Sequence, residues 1–120
     1  MRIVAVSNYI TELDQLEHMI LENFPDWQLV QFSNPFQSSQ YVASNEVDVL
    51  FIAAKLKPPS GVELLRVMRR SKPELAIILF AETEEYLASA REAGATDYMI
   101  LPFRPERLLE LQKEKMKEQI

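Results

Sequence analysis

The 120-residue chain contains no cysteine, two glycines, one histidine and one tryptophan. The missing cysteine excludes disulfides, thiolate metal sites, iron–sulfur clusters and a cysteine nucleophile. Two glycines, Gly61 and Gly94, cannot build a glycine-rich phosphate loop, and His18 alone cannot supply a multi-histidine metal cluster. No apolar run approaches the ~20 residues of a spanning helix, and the opening run Met1-Arg2-Ile3-Val4-Ala5-Val6 stops at Ser7-Asn8, too soon for a signal peptide. A cytoplasmic location without membrane contact is expected. Positive charge is also scarce: 13 Lys and Arg against 18 Asp and Glu give a net charge of −5, which disfavours direct contact with nucleic acid.

What is present suits one packed domain over residues 1–120. Hydrophobic residues make up 48% and charged residues 26% of the chain, and a chain of this length buries roughly two-thirds of its unfolded surface. Strand-length apolar runs occur at 3–6, 27–32, 47–53, 75–81 and 97–101, each followed by a longer amphipathic segment. Val49-Leu50-Phe51-Ile52 and Ile77-Ile78-Leu79-Phe80 lack polar alternation, as expected of parallel strands covered on both faces, while the other strands should lie nearer the edges. The pattern predicts an α/β, flavodoxin-like doubly wound (βα)5 fold with a five-stranded parallel sheet.

Helix signals punctuate the series. Thr11 and Asp14 form a weak start cap before Leu13, Leu16, Ile20 and Phe24. Asn34-Pro35 is a cap followed by proline at the first helical position, opening a second helix expected to be the least stable. Ser60-Gly61-Val62-Glu63 is a capping box, with Arg66, Arg69 and Arg70 outward or at the helix end. Thr83-Glu84-Glu85 should start the fourth helix, Gly94 end it in the left-handed conformation, and Pro105 open the fifth. That last helix runs to Gln119-Ile120 without a stop signal, which fits either a frayed end or a domain cut from a longer regulator.

The run Val47-Asp48-Val49-Leu50-Phe51-Ile52-Ala53-Ala54, followed by Pro58, Pro59, Ser60, Gly61 and Glu63-Leu64-Leu65-Arg66, resembles the third strand and loop of response-regulator receiver domains. So does Glu92-Ala93-Gly94-Ala95-Thr96-Asp97-Tyr98 with Pro102-Phe103 downstream, and the resemblance extends from residue 1 to about residue 112. It implies phosphotransfer to an aspartate ending the third strand, with a metal-holding acidic pair after the first, a hydroxyl residue ending the fourth and a lysine ending the fifth. Here those positions read Ala53, Ser7 and Asn8, Ala81, and Leu101, so all five depart from the pattern. It also implies a cis bond at Leu101-Pro102.

The departures are chemically coherent. Ala53 has no nucleophilic atom, so no acyl phosphate can form there. Ser7 and Asn8 offer no carboxylate oxygen to a hard divalent cation, so no metal or other cofactor is expected. A lysine left without its carboxylate partners would cost about 3–5 kcal/mol if well buried, and Leu101 removes that problem. Asp48 cannot substitute, because five residues at ~3.3 Å each place it roughly 16 Å from position 53. Ser7 as a nucleophile lacks a nearby histidine, and His18 falls on the solvent face of the first helix. A Glu82–Lys55 pair, an acid-binding patch at Arg66, Arg69, Arg70 and Lys72, and a special role for Trp27 are each less economical than solvation, helix-dipole placement and core packing.

The expected function is therefore that of a non-catalytic pseudo-receiver, working by phosphorylation-independent contacts with a protein partner or a transcription output domain. In receivers the surface for pairing and output is the fourth helix, fifth strand and fifth helix, which here carries Arg91, Tyr98, Arg104 and Arg107 and could form a homodimer. Tyr98 is expected to rest inward. The alternative is a small-ligand sensor that uses a neutralised crevice at the strand ends.

Overall fold

The structure, a computed structural model, describes residues 1–118, and side chains as far as residue 114; the expected helical course through Gln119 and Ile120 lies outside the described residues. Elements alternate without exception: β1 (Arg2–Val6), α1 (Ile10–Asn23), β2 (Gln28–Phe32), α2 (Pro35–Ser44), β3 (Val49–Ala53), α3 (Gly61–Ser71), β4 (Ala76–Ala81), α4 (Leu87–Ala93), β5 (Asp97–Ile100) and α5 (Pro105–Glu118). All strands are parallel, in the order β2-β1-β3-β4-β5. The chain reverses direction across the sheet between β1 and β3, so their carboxyl ends open a crevice between diverging loops.

Every residue of β3 is buried, as are the last five of β4, which is why both read as unbroken apolar runs. β2 and β5 are the edges, as expected, but β1 is interior and buried from Ile3 onward. Phe103, just after the cis Leu101-Pro102 bond, wedges its ring edge-on against Phe51 and Phe80 at centroid distances of 5.9 and 5.1 Å. Trp27 lies just before β2 and stacks on Phe24 at 4.1 Å, closing the end of α1. His18 is exposed.

Several helix boundaries differ from the sequence expectation. α1 begins at Ile10 with Tyr9 as its uncapped N-terminal residue, so Thr11 is not a cap; the Ser7 hydroxyl instead accepts the Tyr9 amide at 3.0 Å. α4 begins at Leu87, and Thr83-Glu84-Glu85 form an irregular bend in which Thr83 accepts the Glu85 amide at 3.4 Å. A hydroxyl that folds back on its own loop competes with helix formation. Asn34 accepts two amides of the first turn of α2, at 2.8 and 3.2 Å. Ser60 accepts the Glu63 amide at 3.2 Å, and only this half of the capping box forms. Gly94 ends α4 at φ 96°, as read from the sequence.

Candidate functional site

A cavity of about 280 Å3 opens at the carboxyl ends of the strands, walled by Tyr9, Thr11 and Glu12 of the β1–α1 junction, Ala53, Ala54 and Lys55 at the end of β3, and Phe80, Ala81 and Glu82 at the end of β4. Of the five positions singled out by sequence, only Ala53 and Ala81 line it. Ser7 is fully buried beneath, its hydroxyl donating to Glu12 Oε1 at 2.6 Å. Asn8 ties loops together, its Nδ2 donating to the Ser33 carbonyl at 3.0 Å and its Oδ1 accepting the Lys57 amide at 2.7 Å. Leu101 is half-buried, and its amide donates to the Ala81 carbonyl at 2.9 Å.

The crevice is not neutral, contrary to the sequence reading. Glu12 and Glu82 bring carboxylates to its wall and Lys55 an ammonium, with no ion pair joining Glu82 to Lys55. Glu12 was missed because its arrival depends on where α1 starts: from Ile10, the first turn swings it back over Ser7. Phe80 was missed too. Strand register sets Phe80 directly beside Ala53, with Ala81 one residue further on, so an aromatic ring packed on Phe103 is the immediate neighbour of the acceptor position.

A divalent cation does not fit these residues. The Ser7 hydroxyl is spent on Glu12, both polar atoms of Asn8 are committed to backbone, and among the described residues no three acidic or histidine side chains converge. Asp48 sits at the far end of the sheet, where it accepts the Arg2 amide at 2.8 Å. A larger groove of about 490 Å3 at that end, between Val42, Asn45, Asp48, Lys72 and Leu75, contains none of the five strand-end positions Ser7, Asn8, Ala53, Ala81 and Leu101.

The α4–β5–α5 side carries a second feature. Tyr98 is half-buried, its ring against the core edge and its hydroxyl donating to the Thr83 carbonyl at 2.5 Å. Burial raises the pKa of this phenol, an effect partly offset by the nearby Tyr86 backbone. Arg107 reaches Asp97 at 2.6 Å and Glu110 at 2.7 Å. Burial lowers the Arg107 pKa, but Asp97 and Glu110 together outweigh that and the net direction is up. Arg91 and Arg104 are exposed. Ile100 and Leu109, each 42% exposed, add apolar surface that sequence reasoning did not single out; Ile100 alternates with buried Met99 on an edge strand, which was the available signal. A groove of about 360 Å3 runs between α4 and β5 past Leu87, Arg91, Tyr98 and Ile100.

The family model described as the response regulator receiver domain matches residues 11–113, and the chain belongs to that family. Among curated relatives it is similar to the cyclic di-GMP phosphodiesterase response regulator RpfG of Xanthomonas campestris pv. campestris, 28% identical over 112 residues, covering 90% of this chain and 30% of that protein. It is also similar to the sensory transduction protein LytT of Bacillus anthracis, 22% identical, covering 98% of this chain and 48% of that protein. The chain thus spans half or less of these relatives. The fold matches the crystal structure of a CheY-like receiver domain protein from Methanospirillum hungatei, with a TM-score of 0.83, 24% identity and coverage of 98% and 94% of the two chains. It also matches the response regulatory domain of mrkE from Klebsiella pneumoniae, with a TM-score of 0.82, 22% identity and full coverage of both chains. Among the described residues no helix is long and apolar enough to cross a membrane.

Proposed function

We propose that this receiver domain is a pseudo-receiver: a non-catalytic signalling module that acts through protein contacts and takes no phosphoryl group. The observation carrying this reading is Ala53, which ends β3 at the crevice floor with only a methyl group to offer. The surroundings support it. Phe80 fills the flank in register with Ala53, Leu101 stands at the lysine position, and the one carboxylate bonded within the site, Glu12, is held by Ser7. The alternative of a sensor for an uncharged or weakly anionic metabolite is less supported, because Glu12 and Glu82 stand beside Lys55 in the crevice wall.

The contact surface is that of α4, β5 and α5, where half-buried Tyr98, exposed Ile100 and Leu109, exposed Arg91 and Arg104, and Arg107 paired with Asp97 and Glu110 combine apolar area with arginine side chains. Aromatic, aliphatic and arginine side chains in one patch are the composition of protein interfaces. An output domain, a separate protein or a second copy of the chain would each use this face. The test is incubation with acetyl phosphate and magnesium followed by intact-mass measurement, against a phosphorylatable receiver treated alongside. Unchanged mass is expected; a stoichiometric added phosphate, mapped to Glu12, Glu82 or any crevice residue, overturns the reading.

A further inference from the structure

The sequence places Arg69 outward or at the end of the third helix; the structure puts it in the last turn of α3, half-buried, where its guanidinium makes five hydrogen bonds. Nε donates to the Gly94 carbonyl at 2.9 Å, and Nη1 donates to the carbonyls of Lys72, Pro73 and Leu75 at 3.2, 3.0 and 2.6 Å. Nη2 donates to Thr96 Oγ1 at 3.1 Å, and that oxygen also accepts the Ile77 amide at 3.0 Å. Burial lowers the pKa of this guanidinium, opposed by the charge of Glu74. One side chain from the last turn of α3 therefore gathers the end of α3, the entry to β4, the end of α4 and the start of β5. Both helix ends present unpaired carbonyls and negative dipole ends, which a planar five-donor cation satisfies and an ammonium cannot.

The other end of α4 is held differently. Its first residue has no side-chain cap, residues 82–86 are irregular, and the Tyr98 hydroxyl on the Thr83 carbonyl is the side-chain tie from β5 to that loop. We infer that Arg69 is a positioning residue for the α4–β5 surface, a fixed pivot that clamps the carboxyl end of α4 to the start of β5, whereas the 82–86 bend at the amino end of α4 has no comparable side-chain hub among the described residues. This asymmetry rests on the Arg69 hydrogen bonds and the uncapped start of α4, and holds whether or not the domain is phosphorylated.

Amide hydrogen exchange on the full chain tests it. In the wild type, the amides of Gly94, Ala95 and Thr96, which are hydrogen-bonded to Arg91, Ala90 and Ile77, should exchange on the order of tenfold or more slowly than those of 83–87. Arg69→Met keeps the apolar stem and removes every donor; it should erase that difference by speeding exchange at 94–96 on the order of tenfold while β1 and β3 keep their protection. Arg69→Lys, which retains charge but reaches fewer acceptors, should speed the same amides by a smaller factor and serves where the Met variant does not fold. Wild-type protection at 94–96 in the variant that folds, or a loss there matched by an equal loss in β1 and β3, overturns the pivot.

Discussion

Replacing Gly61 by alanine probes how tightly the crevice floor is built. In an open helix this exchange gains ~1 kcal/mol, because alanine loses less backbone entropy. At Gly61 the geometry reverses the sign. A Cβ there would lie 2.2 Å from the Ala53 carbonyl oxygen, 2.7 Å from the Ala54 Cα and 2.9 Å from the Ala53 carbonyl carbon. These are backbone atoms at the junction of β3 with its loop, so no flexible side chain can move aside. To reach ordinary contact, the first turn of α3 must back away by about 1 Å from the strand end. The Gly61 amide, which donates to the Ala54 carbonyl at 3.2 Å, would stretch with it. Overpacking of this kind costs about 1–3 kcal/mol, and the propensity gain offsets part of it. Gly61→Ala should therefore destabilise by about 1–2 kcal/mol in urea denaturation, or lower the melting temperature by roughly 3–10 °C for a chain of this size. A variant as stable as the wild type, or more so, would refute the close approach of α3 to β3 on which the shape of the crevice depends.

Millimolar magnesium or manganese should leave the melting temperature and the Trp27 fluorescence unchanged; a saturable shift that disappears in Glu12→Gln would show that the crevice binds metal after all. Tyr98→Phe, which deletes the hydroxyl donated to the Thr83 carbonyl, should cost about 0.5–1.5 kcal/mol by urea denaturation, and an unchanged midpoint would mean that the bond contributes nothing in water. Because burial raises the Tyr98 pKa, the phenol stays protonated in the folded state at pH values where the unfolded chain has begun to ionise it. Its contribution is thus complete below about pH 10, the unfolded reference, and is lost as pH rises through the folded value. An ultraviolet titration of wild type against Tyr98→Phe should assign the latest-ionising of the four tyrosines to Tyr98, and ionisation of Tyr98 at or below the ordinary range would contradict the burial argument.

How much of this was legible in the sequence depends on what each residue needs in order to be placed. Ala53 and Ala81 were readable because a strand fixes its own residues by period and length: once β3 is recognised from Val49 to Ala53, its last residue must sit at the crevice. Asn34, Pro35, Ser60 and Gly94 were readable because each acts within four residues of itself. Glu12 and Arg69 were not. Their roles depend on a helix start and on the meeting of three separate chain segments, and neither local propensity nor charge pattern encodes those distances. The starts of α1 and α4 were misplaced for one reason: Thr11 and Thr83 have the chemistry of caps, but Tyr9 and Tyr86 occupy the starting positions without any side-chain cap, and packing of Leu13, Leu16 and Ala90 supplies what capping does not.

The same contrast bears on how the domain signals. A site that works by acquiring charge needs a nucleophile, a counter-ion and room for both; here β3 ends in a methyl group, its registered neighbour is a phenyl ring packed on Phe103, and the nearest carboxylate is turned onto a buried serine. On the proposed reading the strand ends have become structural, joining β1, β3 and β4 to their loops through Ser7, Asn8 and Gly61. The irregular segments of the sheet's upper rim include the 54–60 loop after β3 and the 82–86 bend, which lies between a short uncapped helix and the Tyr98 hydroxyl. Because Arg69 clamps the far end of α4, a partner that pulls on this bend works against the Tyr98 hydroxyl bond, whereas one that pulls on residues 94–96 works against the guanidinium bonds to the Gly94 carbonyl and Thr96 Oγ1. On the proposed reading, what docks on α4, β5 and α5 meets the Arg69 hub at one end of α4 and the Tyr98 hydroxyl at the other.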